Sequence, residues 1–150
     1  MDFLADQALL YTSKQYEEIY FHFNIKFEVK YQDLFLLCAS LGFKKDRKKP
    51  IGERGREFRT NYLNTRQKST AYSIILSDGE LGKNIEAFGE NEFPRKSRKR
   101  LEEYAQGGME ILIEDVFGRR WDGNQLDKSY SEYEVDLLSY LYSDSQEVPF

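Results

Sequence analysis

The pattern of apolar and polar positions divides the chain into short amphipathic segments. Its clearest element lies at Phe27, Tyr31, Leu34, Phe35, Cys38 and Leu41, where apolar residues recur at three- and four-residue steps. Such spacing places one face of a helix against a core. Gly42, next in line, is a natural C-terminal cap. Before it, Ser13 is a candidate N-cap for a helix carrying Tyr16, Ile19 and Tyr20. Phe21 to Val29 alternates apolar and polar residues, which reads as a strand or hairpin, with an extended linker as the other reading.

The second half repeats the helical pattern. Ser69 to Leu76 fits a short helix through Ala71, Ile74 and Ile75, and fits a strand through Tyr72, Ile74 and Leu76. Asp78-Gly79 marks a turn. Leu81, Ile85 and Phe88 predict a short amphipathic helix, and Gly89 to Pro94 a break. Ser97 is a candidate cap for the next helix, whose stripe runs through Leu101, Tyr104, Ala105, Met109, Leu112, Ile113 and Val116. Gly107-Gly108 interrupts it, which predicts a bent helix or two helices meeting at the glycines. Gly118 to Asn124 reads as a loop with Trp121 packed under it. Ser131 is placed to cap a last helix with Tyr133, Leu137, Tyr140 and Leu141 turned inward. The expected fold is mainly α, a compact helical domain over 1–128 with a short strand or hairpin near 21–29. A helix and tail over 129–150 complete it.

Composition changes this picture little. An apolar content of 40%, rich in Tyr and Phe, can fill a small core. No run reaches the roughly 18 apolar residues of a membrane span, and the acidic N-terminal residues do not resemble the basic start of a signal peptide. One cysteine, Cys38, excludes an intrachain disulfide and suits a reducing compartment. The expected location is the cytoplasm.

Charge changes it more. The net charge is −4, yet residues 44–68 carry ten basic residues against three acidic ones. Pro50, Gly52 and Gly55 make this stretch a predicted basic loop. Lys44, Lys45, Arg47, Lys48 and Lys49 are the first candidates for contact with a polyanion or an acidic partner, followed by Arg54, Arg56 and Arg59. A second cluster, Arg95, Lys96, Arg98, Lys99 and Arg100, opens a helix, where its charges oppose the helix dipole. A bound phosphate would offset that cost. The plainer reading of both clusters is a solvated basic surface. Ser129 to Phe150 is the opposite pole, with five acidic residues, four tyrosines and no base. It can fold back on the basic loop and screen it, or dock a partner.

Catalytic chemistry has thin support. His22, the only histidine, sits between two phenylalanines and suits packing better than general-base work. Cys38 lies on the apolar stripe, which favours core packing over nucleophilic use. One His and one Cys do not make a usual zinc site. Glu102-Glu103 and Glu114-Asp115 are the acid pairs a magnesium nuclease would use, though the acid-and-lysine spacing of such sites is missing. Gly52-Glu-Arg-Gly55 lacks the context of a phosphate-binding loop. No cofactor and no metal are expected.

Two segments together carry a family resemblance. Tyr31-Gln-Asp-Leu-Phe-Leu-Leu-Cys-Ala-Ser-Leu-Gly-Phe-Lys-Lys45 is an apolar helix closed by Gly and an aromatic, then opening into basic residues. Glu102-Glu-Tyr-Ala-Gln-Gly-Gly-Met-Glu-Ile-Leu112 holds a Tyr-Ala-x-Gly-Gly helix. In this order, over roughly residues 27–116, they resemble small accessory proteins encoded with bacterial DNA phosphorothioation (Dnd-type) and related anti-phage systems. The resemblance implies genomic company with motor ATPases, nucleases or restriction subunits, and brings no active residues with it. The expectation is a non-catalytic accessory subunit that meets DNA or a larger ATPase or nuclease partner through its basic loop. The alternatives are a small metal-dependent nuclease or toxin, and a phage-encoded inhibitor of a defence enzyme.

Overall fold

The computed structural model describes residues 2–5, 7–83 and 85–146. Its frame is a pair of helices, α2 (Tyr31–Lys44) and α4 (Phe93–Leu112), packed along one another. Around them stand α1 (Glu17–Phe27), α3 (Thr65–Ser77) and α5 (Tyr133–Gln146), with a two-stranded antiparallel sheet of β1 (Leu9–Ser13) and β2 (Arg54–Arg59). The expectation of a mainly α fold therefore stands. Among the described residues no helix is long and apolar enough to cross a membrane.

Three glycines explain the closeness of α2 and α4. A Cβ on Gly108 would sit 1.8 Å from the carbonyl oxygen of Cys38, and one on Gly107 would sit 2.0 Å from that of Arg47. On the other side, a Cβ on Gly42 would come within 2.1 Å of the Tyr104 carbonyl oxygen. Backbone touches backbone at all three points, so a side chain on Gly108 or Gly42 would push the helices apart and one on Gly107 would displace the loop that follows α2. Gly107-Gly108 thus does not divide α4, which runs unbroken from Phe93 to Leu112. Gly42 is not the cap either: α2 runs two residues beyond it, and the turn is made by Asp46 in the left-handed region.

The strand lies elsewhere than its alternation suggested. Residues 21–27 belong to α1, with Ile19, Tyr20, His22 and Phe23 turned into the core. Phe21 and Ile25, which made the alternation look strand-like, are exposed apolar residues on its outer side. Glu28, in the left-handed region, closes the helix and passes its N–H to the Phe23 carbonyl. The actual sheet joins residues more than 40 apart in sequence, with Leu10 opposite Phe58 and Tyr11 opposite Glu57. The predicted loop over 44–68 is correspondingly shorter. Arg54–Arg59 form β2 because Phe58 packs edge-on against Phe35, and α3 starts at Thr65 behind a capping box. There Asn64 Oδ1 accepts from the Gln67 N–H, and Gln67 Oε1 accepts from the Asn64 N–H.

Other boundaries also move. Pro94 occupies the first turn of α4, so that helix begins before Ser97, which is buried inside it. Residues 85–89 make only a tight 3₁₀ turn. After Leu112 the backbone widens into a π turn that ends at Gly118. The side of α5 that faces the core carries Tyr133 and Leu137, as expected.

Candidate cationic cleft

The first turns of α4, β1 and the chain entering β2 enclose a cleft of about 660 Å³. One wall is a single face of α4, on which Arg95, Arg98, Lys99, Glu102 and Glu103 fall at three- and four-residue steps. The facing wall is built from Leu9, Tyr11, Pro50–Gly52 and Arg54. The hydrogen bond from the Lys49 N–H to the Glu103 carbonyl, 3.0 Å, ties the incoming loop to the helix. The irregular register between Tyr11 and Ser13 separates the basic side chains of β2. Arg56 lies over the Tyr31 ring at 4.8 Å, toward α2, whereas Arg54 lies over the Tyr11 ring at 4.1 Å, beside the cleft.

The two basic clusters of the sequence thus meet in one place, but only through some of their members. Arg54 comes from the first, and Arg95, Arg98 and Lys99 from the second. Arg98 Nη1 donates to the Phe3 carbonyl at 3.0 Å, and Arg95 pairs with Glu92 on the preceding turn. Among the described residues, neither Lys96 nor Lys99 makes an ion pair.

Four of the remaining candidates, Lys44, Lys45, Arg47 and Arg100, pair with acids of neighbouring elements. Lys44 and Lys45 both reach Asp144 at 2.7 Å. Arg47 Nη1 bridges Glu110 at 3.0 Å and Glu114 at 2.6 Å. Arg100 is the most buried of them, 14% exposed in its side chain, and contacts Asp78, Glu80 and Glu103. Lys48 lies 5.9 Å from the centre of the Tyr104 ring, and Arg59 Nη1 donates to Gln7 Oε1 at 3.0 Å. These three outer positions, Lys48, Lys49 and Arg59, remain exposed.

Glu102 is the residue whose role in the cleft the sequence did not show. It is only 7% exposed, and its Oε2 accepts a 2.9 Å hydrogen bond from the Tyr11 N–H. Burial pushes its carboxyl up to about 7, against the pull of that hydrogen bond and of the charges on Arg54 and Arg98. Its place at the edge of β1, 91 residues away in sequence, is the signal that periodicity could not carry.

The other acids and candidate nucleophiles are committed elsewhere. Glu103 pairs with Arg100, Glu114 with Arg47, and Asp115 accepts from the Tyr140 hydroxyl. Among the described residues no three His, Cys, Asp or Glu side chains gather as a metal site would require. His22 is packed against Phe23, Phe27 and Tyr133, and burial lowers its pKa. Cys38 is fully buried, which drives its thiol far above the usual range.

The family model for DNA sulphur modification system-associated protein 4 matches residues 22–137. The chain belongs to this family. The match runs from the middle of α1 to the first turns of α5, takes in both helices of the glycine-packed frame, and agrees with the resemblance carried by Tyr31–Lys45 and Glu102–Leu112. The family's description is of a protein associated with a DNA sulphur modification system. No curated protein and no solved structure matches the chain.

Proposed function

We propose that this chain is a non-catalytic accessory subunit of a DNA sulphur modification system, and that its cleft holds the phosphodiester backbone of the DNA on which that system works. One observation carries the reading. Arg54 and the trio Arg95, Arg98 and Lys99, some 40 residues apart in sequence, line one cleft in a chain of net charge −4. A positive cleft on a negative molecule is not produced by average composition. It focuses the field where a polyanion would sit and repels it elsewhere. Arginine and lysine side chains along one groove suit phosphate contact without base readout, and the exposed Lys48, Lys49 and Lys96 would extend the track.

The test is fluorescence anisotropy of a labelled duplex titrated with the full chain across a salt series. Binding should weaken steeply with salt. Arg54→Ala and Lys99→Ala should each reduce the log–log salt slope by about one, uniformly across sequences. Salt-independent binding, or affinity unchanged in the Arg54→Ala/Lys99→Ala double variant, would overturn the reading.

A second surface supports contact with a protein subunit of the same system. Val135, Leu138 and Tyr142 stand 55%, 58% and 69% exposed, at three- and four-residue steps along α5. They form an apolar stripe of the kind helix-in-groove partners cover. α5 carries acids and no base, so the fitting groove is one with basic edges. Leu138→Asp should abolish co-purification with such a subunit while leaving DNA binding intact.

A further inference from the structure

Glu102 lines the same cleft as Arg54, Arg98 and Lys99. From β1 it is faced by the Tyr11 N–H, from β2 by Arg54, and from its own helix by Arg98, Lys99, Glu103 and Arg95. Arg98 is turned to the Phe3 carbonyl and Arg54 to the Tyr11 ring. Among the described residues no cation lies within ion-pair distance of Glu102. The carboxylate therefore rests on one backbone N–H in a site closed to most water.

We infer that occupancy of this cleft by a phosphodiester chain is linked to uptake of one proton at Glu102, so that binding strengthens as the pH falls. The inference deepens the proposed function and rests on it. A phosphate brought up against a carboxylate that is itself nearly buried is repelled by it, because little water stands between them to screen the charges. Arg98 and Arg54 are turned to the Phe3 carbonyl and the Tyr11 ring, so neither pairs directly with the carboxylate where a phosphate would approach it. Protonation, with the proton taken from solvent, removes the repulsion. It also turns the free carboxyl oxygen into an O–H donor for a phosphate oxygen, while Oε2 keeps its bond from Tyr11. Burial already holds this carboxyl near neutrality, so the proton is available at little cost. A phosphodiester does not titrate in this range, and His22 is enclosed by aromatic rings away from the cleft, which leaves Glu102 as the group to test.

The experiment measures affinity for a duplex lacking terminal phosphates, at fixed ionic strength, from about pH 6 to about pH 8.5, for the full chain and for Glu102→Gln. For the wild type, affinity should fall with rising pH by up to about tenfold per unit at the steepest point. Glu102→Gln, which keeps an oxygen for the Tyr11 N–H, should bind with a flat profile and more tightly than wild type at the alkaline end. Calorimetry of the wild type in buffers of different ionisation heat gives a second readout, expected to show about half a proton taken up near pH 7 and close to one a unit or more above it. Duplex binding that is the same at every pH, with no proton taken up, would overturn the linkage and leave the cleft reading intact. An equal pH dependence in Glu102→Gln would overturn it too, by assigning the proton to another group. No duplex binding at any pH at low salt, by a chain with a native melting profile, would overturn the cleft reading and the linkage with it.

Discussion

Asp144, on the last turns of α5, accepts a 2.7 Å hydrogen bond from the Lys44 ammonium at the end of α2. Lys45 reaches the other oxygen of the same carboxylate at 2.7 Å, and Asp144 is only 9% exposed. The acidic helix α5 thus packs back on the start of the basic stretch, and residues 147–150 of the acidic segment lie outside the described residues. Two of the lysines that the charge pattern nominates first for outside contact are the ones that hold α5 in place.

Reversing Lys44 and Lys45 to Glu should therefore act on stability rather than on a distant ligand. It leaves a largely buried carboxylate facing two like charges. The expected cost is about 1–3 kcal/mol, visible as a drop of several degrees in thermal midpoint and as faster amide exchange in α5. Duplex affinity measured below the melting transition should change much less than it does in Arg54→Ala/Lys99→Ala. A larger loss of affinity from the lysine pair than from the cleft pair would return the contact surface to the loop.

Gly108 offers a sharper test of the helical frame. An alanine methyl there would be driven to 1.8 Å from the Cys38 carbonyl oxygen, which is backbone and cannot turn aside. Gly108→Ala should cost more than about 3 kcal/mol and yield protein that is insoluble or melts far below wild type. Gly79→Ala is the matched control, because a Cβ there meets nothing within 4 Å. Its midpoint should stay near wild type. Equal midpoints for the two variants would refute the close crossing of α2 and α4.

Much of this frame was legible in the sequence, and the reason is local. The stripes of α2 and α4 repeat at helical spacing because each helix buries one face, and the Gly-Gly pair signalled packing, though not that a single helix would continue across it. Phe21 to Val29 misled because an exposed Phe21 and Ile25 add apolar residues to the outside of α1, and alternation then mimics a strand. β1 was silent because its register is set by β2, far along the chain. The cleft was half legible. Charge counting found both clusters, but which cations are free depends on partners such as Asp144, Glu110 and Asp78, which only the tertiary fold brings near.

Asp78 should make the fold sensitive to acid. Its burial would raise its pKa. The N–H groups of Leu81 and Glu80, the Tyr104 hydroxyl and the Arg100 guanidinium outweigh that and lower it to about 2. A carboxyl held below its unfolded value contributes stability that is present above about pH 4 and is lost as the pH falls toward 2. Asp78→Asn should remove that part of the acid transition and leave Arg100 with Glu80 and Glu103 only. The check is a set of urea unfolding curves from neutral to acidic pH. The gap between wild type and variant should close as the pH drops, and a constant gap would mean that Asp78 does not titrate in the transition.

Glu102 predicts the opposite sign. Its folded value, about 7, lies above the ordinary carboxyl value of 4.5. The folded chain therefore binds more protons than the unfolded chain between those limits. The stability linked to this group is fully present below about pH 4.5 and is lost as the pH rises through 7. At alkaline pH the buried carboxylate is a burden on the order of 3 kcal/mol, which Glu102→Gln should relieve because the amide keeps an acceptor for the Tyr11 N–H without a charge to desolvate. In urea the variant should be the more stable protein above pH 7 and should lose that advantage as the pH approaches 5. If the variant were instead less stable at every pH, the carboxylate would be making a contact that favours its charged form, and the proton linkage proposed for the cleft would lose its physical basis.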